Sequence, residues 1–478
     1  MLFNSIEFAI FLPVVFLAYW LLFNRNLRHQ NLFLLAASYV FYGWWDWRFL
    51  SLIFISSVVD YVAGLGIARN EQRGRRRFFL GMSLVTNIGL LGAFKYWNFF
   101  SESFAELISS FGLQANPWTL KVILPVGISF YTFQTLSYTI DVYRGKMQPT
   151  RDIVAFFAYV SFFPQLVAGP IERAEHLLPQ FLSGRSLSRD RIMIGMQHVV
   201  WGLFKKIAVA DQCAKLVDQV FSDPASQPAS MLTLGVVFFA FQIYGDFSGY
   251  SDIAIGTAKM FGFDLMTNFR TPYFSRDIAE FWRRWHISLS TWFRDYVYIP
   301  LGGSRCGRLQ AIRNTFVIFV VSGLWHGANW TFVAWGALNA LYFLPLLLAG
   351  RNRKHLGSAS EGRLLPAPGD LLRIAITFAL VCLGWVFFRS ESIGAALLYI
   401  RGIIQPQSIA LHAIVPWLGL LVPVGIMLGA EWLWRDRAVP VPDGRAPYLV
   451  KWSFYYAVGL AIVLAIEFTP QQFIYFQF

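Results

Sequence analysis

Two histidines lie where a proton could be moved. His326 falls in Val321-Ser322-Gly323-Leu324-Trp325-His326-Gly327-Ala328-Asn329-Trp330, at the end of an apolar run that begins near Thr315. An unshifted imidazole titrates near neutrality, so it can take a proton from a hydroxyl and return it. Gly323, Gly327 and Ala328 leave room for another backbone or a ligand to come close. A buried histidine also serves packing alone, and the local sequence does not separate the two roles. His286 lies in the densest polar stretch, Glu280 to Asp295. As one continuous helix, this stretch puts Phe281, Trp285, Leu289 and Trp292 on one face and Arg283, His286, Ser290 and Arg294 on the other. An amphipathic helix lying in a membrane interface accounts for the arginines and tryptophans. It accounts less well for His286.

Two further stretches place polar groups in apolar surroundings. Asp246 and Asp252 sit in Gln242-Ile243-Tyr244-Gly245-Asp246-Phe247-Ser248-Gly249-Tyr250-Ser251-Asp252, within or at the end of an apolar segment. They need partners or water, and cationic groups such as Arg283 or Arg284 are candidates. The second stretch runs from Ser129 to Gln134 and on to Asp141 and Arg144. Pro164, Gln165, Gly169, Pro170, Glu172 and Arg173 follow it. Prolines there break helices at membrane depth, which is tolerated where protein or a watery cavity lines the break.

The elements that carry these residues are membrane helices. Of 478 residues, 56% are hydrophobic and only 14% charged, where soluble domains carry about 25% charge. The apolar content comes in runs long enough to cross a bilayer, and Thr315–Leu324 and Ile374–Phe388 carry no charge. The 47 Phe, 20 Tyr and 18 Trp suit a chain that meets lipid headgroups at many boundaries. Candidate spans are Phe8–Phe23, Leu32–Trp45, Phe49–Ala68, Phe78–Phe99, Leu120–Ile140, Ile153–Ala168 and Ile192–Val209. Leu232–Tyr250, Thr315–Ala328, Phe332–Ala349, Leu371–Phe388, Ile414–Trp432 and Tyr448–Ile466 complete the set. The sequence therefore predicts an all-α polytopic membrane protein with roughly a dozen transmembrane or re-entrant helices. Arg351–Asp370 and Arg435–Ala446 read as loops, and no soluble domain or tandem repeat is evident.

Charge sets the expected orientation. Arg25 and Arg28 follow the first span, and Arg69, Arg73, Arg75, Arg76 and Arg77 follow the third. Ser101–Thr119, after the fourth, has Glu102 and Glu106 and no Lys or Arg. The bias of basic residues toward the cytoplasm puts the arginine loops inside and the N-terminus outside. It also explains the net charge of +13. No basic block is interleaved with aromatics outside the apolar segments, so nucleic-acid binding is not expected. Met1–Glu7 lacks the basic stretch of a cleaved signal. Cys213, Cys306 and Cys382 are too scattered for a disulfide framework or a metal site.

The pair of motifs Phe281–Ser290 and Gly323–Asn329 resembles the membrane-bound O-acyltransferases, and the chain is most similar to the bacterial alginate O-acetyltransferase branch. Ser38–Tyr42, Leu124–Phe133, Gly169–Ile171 and Asp246–Asp252 carry the same resemblance. It implies a core over residues 1–389, with helices of 390–478 continuing the same membrane domain. It implies helices around a central tunnel faced by both histidines, in a bacterial inner membrane. It also implies transfer of an acetyl group from cytoplasmic acetyl-CoA for O-acetylation of an extracytoplasmic polysaccharide, with a periplasmic acetyltransferase as partner protein. No permanently bound cofactor or metal is implied. Peptidoglycan or cellulose O-acetylation, or D-alanyl transfer for teichoic acid, are the neighbouring readings. A transporter or a non-catalytic export subunit would be the readings outside the family.

The residues suit that chemistry. Acyl transfer to a hydroxyl needs a base for the proton and donors for the developing oxyanion. His326 is the expected base. His286, Asn329 and Ser290 are candidates to orient the acceptor or donate to the oxyanion, with Trp325, Asp246 and Asp252 lining the acyl path. No glycine-rich phosphate loop is evident, so donor phosphates would rest on arginines, with Arg283, Arg284 and Arg294 as candidates. Gly245-Asp246-Phe247-Ser248-Gly249 has the wrong spacing for a serine-hydrolase elbow.

Overall fold

Apolar length and helix caps decide the local structure. The computed structural model describes residues 1–120, 123–405, 409–442, 446–467 and 473–474. All regular elements among the described residues are helical. They run α1 (Ile6–Leu21), α2 (Leu27–Asp46), α3 (Leu50–Arg69), α4 (Arg73–Leu91), α5 (Trp97–Ser110), α6 (Ile128–Tyr143), α7 (Ile153–Ser161) and α8 (Phe163–Leu166). Then come α9 (Ala174–Phe181), α10 (Arg189–Leu203), α11 (Asp211–Ser222), α12 (Ala229–Met260), α13 (Ile278–Arg284), α14 (Ile287–Phe293), α15 (Arg308–His326) and α16 (Trp330–Leu348). The last are α17 (Pro368–Arg389), α18 (Ile393–Ile404), α19 (Leu411–Ile414), α20 (Leu421–Leu433) and α21 (Tyr448–Ala465). Eight stretches of the described residues are long and apolar enough to cross a membrane, from Leu27–Arg69 to Tyr448–Ala465. On α1, Ile6, Ile10, Val14, Leu17 and Leu21 form an exposed stripe at helical spacing, as a lipid-facing helix requires.

Several expected boundaries move, each for a local reason. The span expected over Leu120–Ile140 takes in residues 121–122, which lie outside the described set, and its helix starts only at Ile128. Pro125 and the left-handed Gly127 (φ +75°) precede it. A β-carbon at Gly127 would lie 2.7 Å from the Leu166 carbonyl oxygen. Ile153–Ala168 is divided at Phe162, just before Pro164. Ser101–Thr119, expected as a loop, is helical as far as Ser110.

The chain forms two compact units, Met1–Gly195 with Ala254–Met266, and Met196–Ile253 with Thr267–Phe478. In the first, α3, α4 and α6 meet over the fully buried carboxylate of Asp60. Thr139 donates to Oδ1 at 2.9 Å, Asn87 to Oδ2 at 2.8 Å, and Ser83 also donates to Oδ1. Neutral donors thus solvate a carboxylate that lipid-facing packing would leave orphaned. Ser38 accepts from the Phe163 backbone N–H at 3.1 Å, which fixes the break between α7 and α8.

In the second unit the core gathers Trp201, Phe204, Phe239, Tyr244, Phe281, Trp285, Trp335, Trp385 and Phe388. Helices α15 and α16 approach through glycines. A β-carbon at Gly323 would lie 2.2 Å from the Phe332 carbonyl oxygen, and one at Gly336 would lie 2.4 Å from that of Phe319. The expected room around Gly323 and Gly327 is therefore taken by the neighbouring helix.

Candidate active site

His326 is the last residue of α15. Gly327 leaves the helix in an extended conformation, and Asn329 starts α16 by accepting from the Thr331 N–H at 3.0 Å. The imidazole Nδ1 lies 2.6 Å from the carbonyl oxygen of Ser322, one turn back. A carbonyl oxygen only accepts, so Nδ1 carries the hydrogen, and in the neutral ring Nε2 carries the lone pair. The side chain is 2% exposed.

His286 is positioned by a broken helix. The continuous helix expected over Glu280–Asp295 does not form: α13 stops at Arg284, α14 starts at Ile287, and His286 between them has φ +44° and ψ +55°. Left-handed backbone costs a residue with a β-carbon about 1–2 kcal/mol, and such strain persists where surrounding structure imposes it. Phe281, Trp285, Leu289 and Trp292 are all buried despite the break, and His286 is buried with them. His286 is fully buried, and neither ring nitrogen has a hydrogen-bond partner among the described residues. Burial, with the neighbouring His326 adding to it, holds this imidazole well below its ordinary value of 6.5, so it is neutral at physiological pH.

The two rings meet edge to face within an aromatic layer. Their centroids are 6.3 Å apart and their planes cross at 77°. Trp325 lies 5.8 Å from His286 and 5.0 Å from His326. Trp335 packs 5.0 Å from His326, Phe388 5.6 Å from it, and Phe247 meets His286 edge-on at 4.6 Å. Such walls exclude water, and electrostatic interactions inside them strengthen.

The remaining candidate residues take other positions. Asn329 caps α16 and donates to the Glu391 carbonyl at 3.0 Å, so its amide is engaged away from the rings. Ser290 turns its hydroxyl back toward the Trp285 carbonyl at 3.4 Å. Arg294 is exposed and pairs with Asp295 at 2.7 Å. Arg283 donates to the carbonyls of Asn352 and His355 at 2.6 and 2.7 Å, and Arg284 to that of Gly357 at 2.8 Å. These two arginines pin the loop after α16 instead of pairing with Asp246 or Asp252. The aspartates do pair with cations, but with lysines in place of these arginines. Asp246 meets Lys206 at 2.9 Å and accepts from the Ile474 N–H at 2.7 Å, while Asp252 pairs with Lys205 and with His198 at 3.4 Å.

The membrane-bound O-acyltransferase family model matches residues 40–384, a stretch that holds both histidines and the motifs around them. The chain belongs to that family. This O-acyltransferase is 43% identical over 402 residues to the probable alginate O-acetylase of Pseudomonas aeruginosa, covering 83% of this chain and 73% of that one. It is 36% identical over 440 residues to the peptidoglycan O-acetyltransferase of Helicobacter pylori, covering 86% and 81%. It is 27% identical over 313 residues to the teichoic acid D-alanyltransferase of Streptococcus thermophilus, covering 61% and 75%.

Other buried charges of the acyltransferase pair with Asp246 and Asp252 or lie beside them. Lys205 and Lys206 project from a π-helical stretch, Phe204–Ala210, that follows α10, and Lys206 also meets Asp211 at 2.7 Å. Glu431 on α20 accepts from the Tyr244 hydroxyl at 2.6 Å. The available signal was charge inside apolar spans: Lys205, Lys206 and Glu431 all lie in predicted spans and demanded counter-groups.

Proposed function

We propose that this acyltransferase moves an acetyl group from acetyl-CoA at the inner membrane for O-acetylation of a polysaccharide outside the cytoplasm, with a periplasmic acetyltransferase as partner. The N-terminus faces outward in this reading, as the arginine loops require. The relatives sharing more of the sequence are named for alginate and peptidoglycan O-acetylation, which favours acetyl over D-alanyl.

The observation that carries the reading is the pair of buried imidazoles, one with its tautomer fixed by Ser322 and one with both nitrogens unpartnered among the described residues. Nε2 of His326 takes the proton from the acceptor hydroxyl as its oxygen attacks the thioester carbonyl. The developing oxyanion accepts the single N–H of neutral His286. The tetrahedral intermediate then collapses, the carbon–sulfur bond breaks, and the imidazolium of His326 returns the proton to the thiolate. The carbonyl end of α15 favours the positive charge that His326 carries meanwhile.

Proteoliposomes holding the purified protein, radiolabelled acetyl-CoA and an alginate acceptor, with and without the partner, test this. Label should reach acceptor or partner only when the protein is present. No transfer from acetyl-CoA, with transfer from a D-alanyl carrier instead, would reassign the donor.

A further inference from the structure

We propose that Asn268 is the positioning residue for His286: it holds the left-handed turn that aims the imidazole. The inference rests on the assignment of His286 to the reaction site. Asn268 is fully buried, and three of its polar groups are committed to the turn or to α12. Its backbone carbonyl accepts from the Ile287 N–H at 2.9 Å. Its side-chain Oδ1 accepts from the Ser288 hydroxyl at 2.9 Å and from the Ser288 N–H at 3.4 Å. Its Nδ2 donates to the Ser251 hydroxyl on α12 at 3.0 Å.

These bonds fall on either side of the strained residue. The Arg270 N–H donates to the Arg284 carbonyl at 3.0 Å, so the stretch 268–270 runs beside 284–287 with His286 between the two rungs. The first residues of α14 lack partners within their own helix, and Asn268 supplies them. It works as a cap placed 20 residues away in sequence. The Ser251 bond anchors the clamp to α12, the helix that carries Phe247 against the His286 ring. Among the described residues His286 has no ring hydrogen bond of its own to orient it. The direction of its side chain therefore depends on its backbone, and the backbone depends on Asn268. A reacting group displaced by 1 Å can lose about 10²-fold in rate.

Four proteins test this in proteoliposomes: parent, His286→Ala, Asn268→Ala and the double variant. Asn268→Ala should lower kcat about 10–100-fold with the KM for acetyl-CoA within about twofold. Asn268→Asp, which keeps the acceptor oxygens, should recover most of that loss. The double variant should be no slower than His286→Ala alone, because the clamp has nothing left to aim. A double variant slowed by both single factors multiplied would show that Asn268 acts independently and would overturn the proposal, while leaving His286 in the reaction site. An unchanged kcat in Asn268→Ala would also overturn it. His286→Ala at the parent rate would overturn both the proposal and the role of His286. If Asn268→Ala does not fold, Ser288→Ala removes one bond of the clamp, and its smaller fall in kcat should vanish in the His286→Ala background. Persistence of that fall there would overturn the proposal.

Discussion

Lys206 holds Asp246 at 2.9 Å between two helical segments of the same unit, with both side chains less than a tenth exposed. Neither charge can reach water; Lys206 also meets Asp211 at 2.7 Å and Asp246 also accepts from the Ile474 N–H at 2.7 Å, so the three charges form one largely buried cluster. A wholly uncompensated buried charge costs about 3–5 kcal/mol, and losing Asp246 costs part of that, because Lys206 keeps Asp211 alone. Asp246→Ala should therefore lower the yield of folded, detergent-extractable protein, and Asp246→Asn, which keeps an oxygen for Lys206 and the Ile474 N–H, should recover part of it. Size-exclusion profiles of the three proteins decide. A normal Asp246→Ala yield would show that the pair contributes little.

Gly323→Ala should push α15 away from α16, because the new methyl meets the Phe332 carbonyl. Overpacking of this kind costs about 1–3 kcal/mol. The displaced helix end also carries His326, so activity should fall further than the loss of folded protein accounts for. A variant with parental melting temperature and rate would contradict the close packing.

His176 gives a pH signature. The Glu172 carboxylate, 2.7 Å from Nδ1, raises the imidazole above its ordinary 6.5. A raised value in the folded state contributes stability that is complete below pH 6.5 and is lost as pH climbs through the raised value. The parent should therefore lose more thermal stability between pH 6 and pH 8.5 than His176→Gln does. Equal slopes would mean that the pair does not form.

Orientation can be read by labelling. Single cysteines in residues 111–119 should react with an impermeant maleimide added to intact spheroplasts. Cysteines at Arg73–Arg77 should react only after lysis. The reverse pattern would invert the topology and place the proposed donor on the wrong side.

Much of this was legible in the sequence, and the remainder has physical reasons. Hydropathy located the spans because a bilayer imposes length and apolarity on each segment by itself. His326 stood out as a candidate only through the resemblance carried by Gly323–Asn329, since its place at the end of an apolar helix suits packing equally well. The break at His286 was not, since residues 280–295 satisfy helical periodicity throughout. The turn is imposed by Asn268, through contacts that no local pattern encodes. The partners of Asp246 and Asp252 were misassigned for a related reason. The nearby arginines were weighed, whereas Lys205 and Lys206 reach the aspartates from a π-helical stretch across the fold. Asn329 looked like an oxyanion donor by its place beside His326, yet its residue type and position before a helix also specify a cap, and the cap is what forms.

The central claim is that Nε2 of His326 moves the proton during acyl transfer. Its most direct test is single-turnover acetyl transfer by purified His326→Ala in proteoliposomes, with acetyl-CoA binding measured on the same samples. The imidazole packs edge-on against its neighbours and lies at a helix end, so the variant should fold and bind donor as the parent does. Transfer should fall about 10²–10⁴-fold, the usual loss for a positioned acid–base group. Transfer at the parent rate by a folded His326→Ala protein would contradict the account.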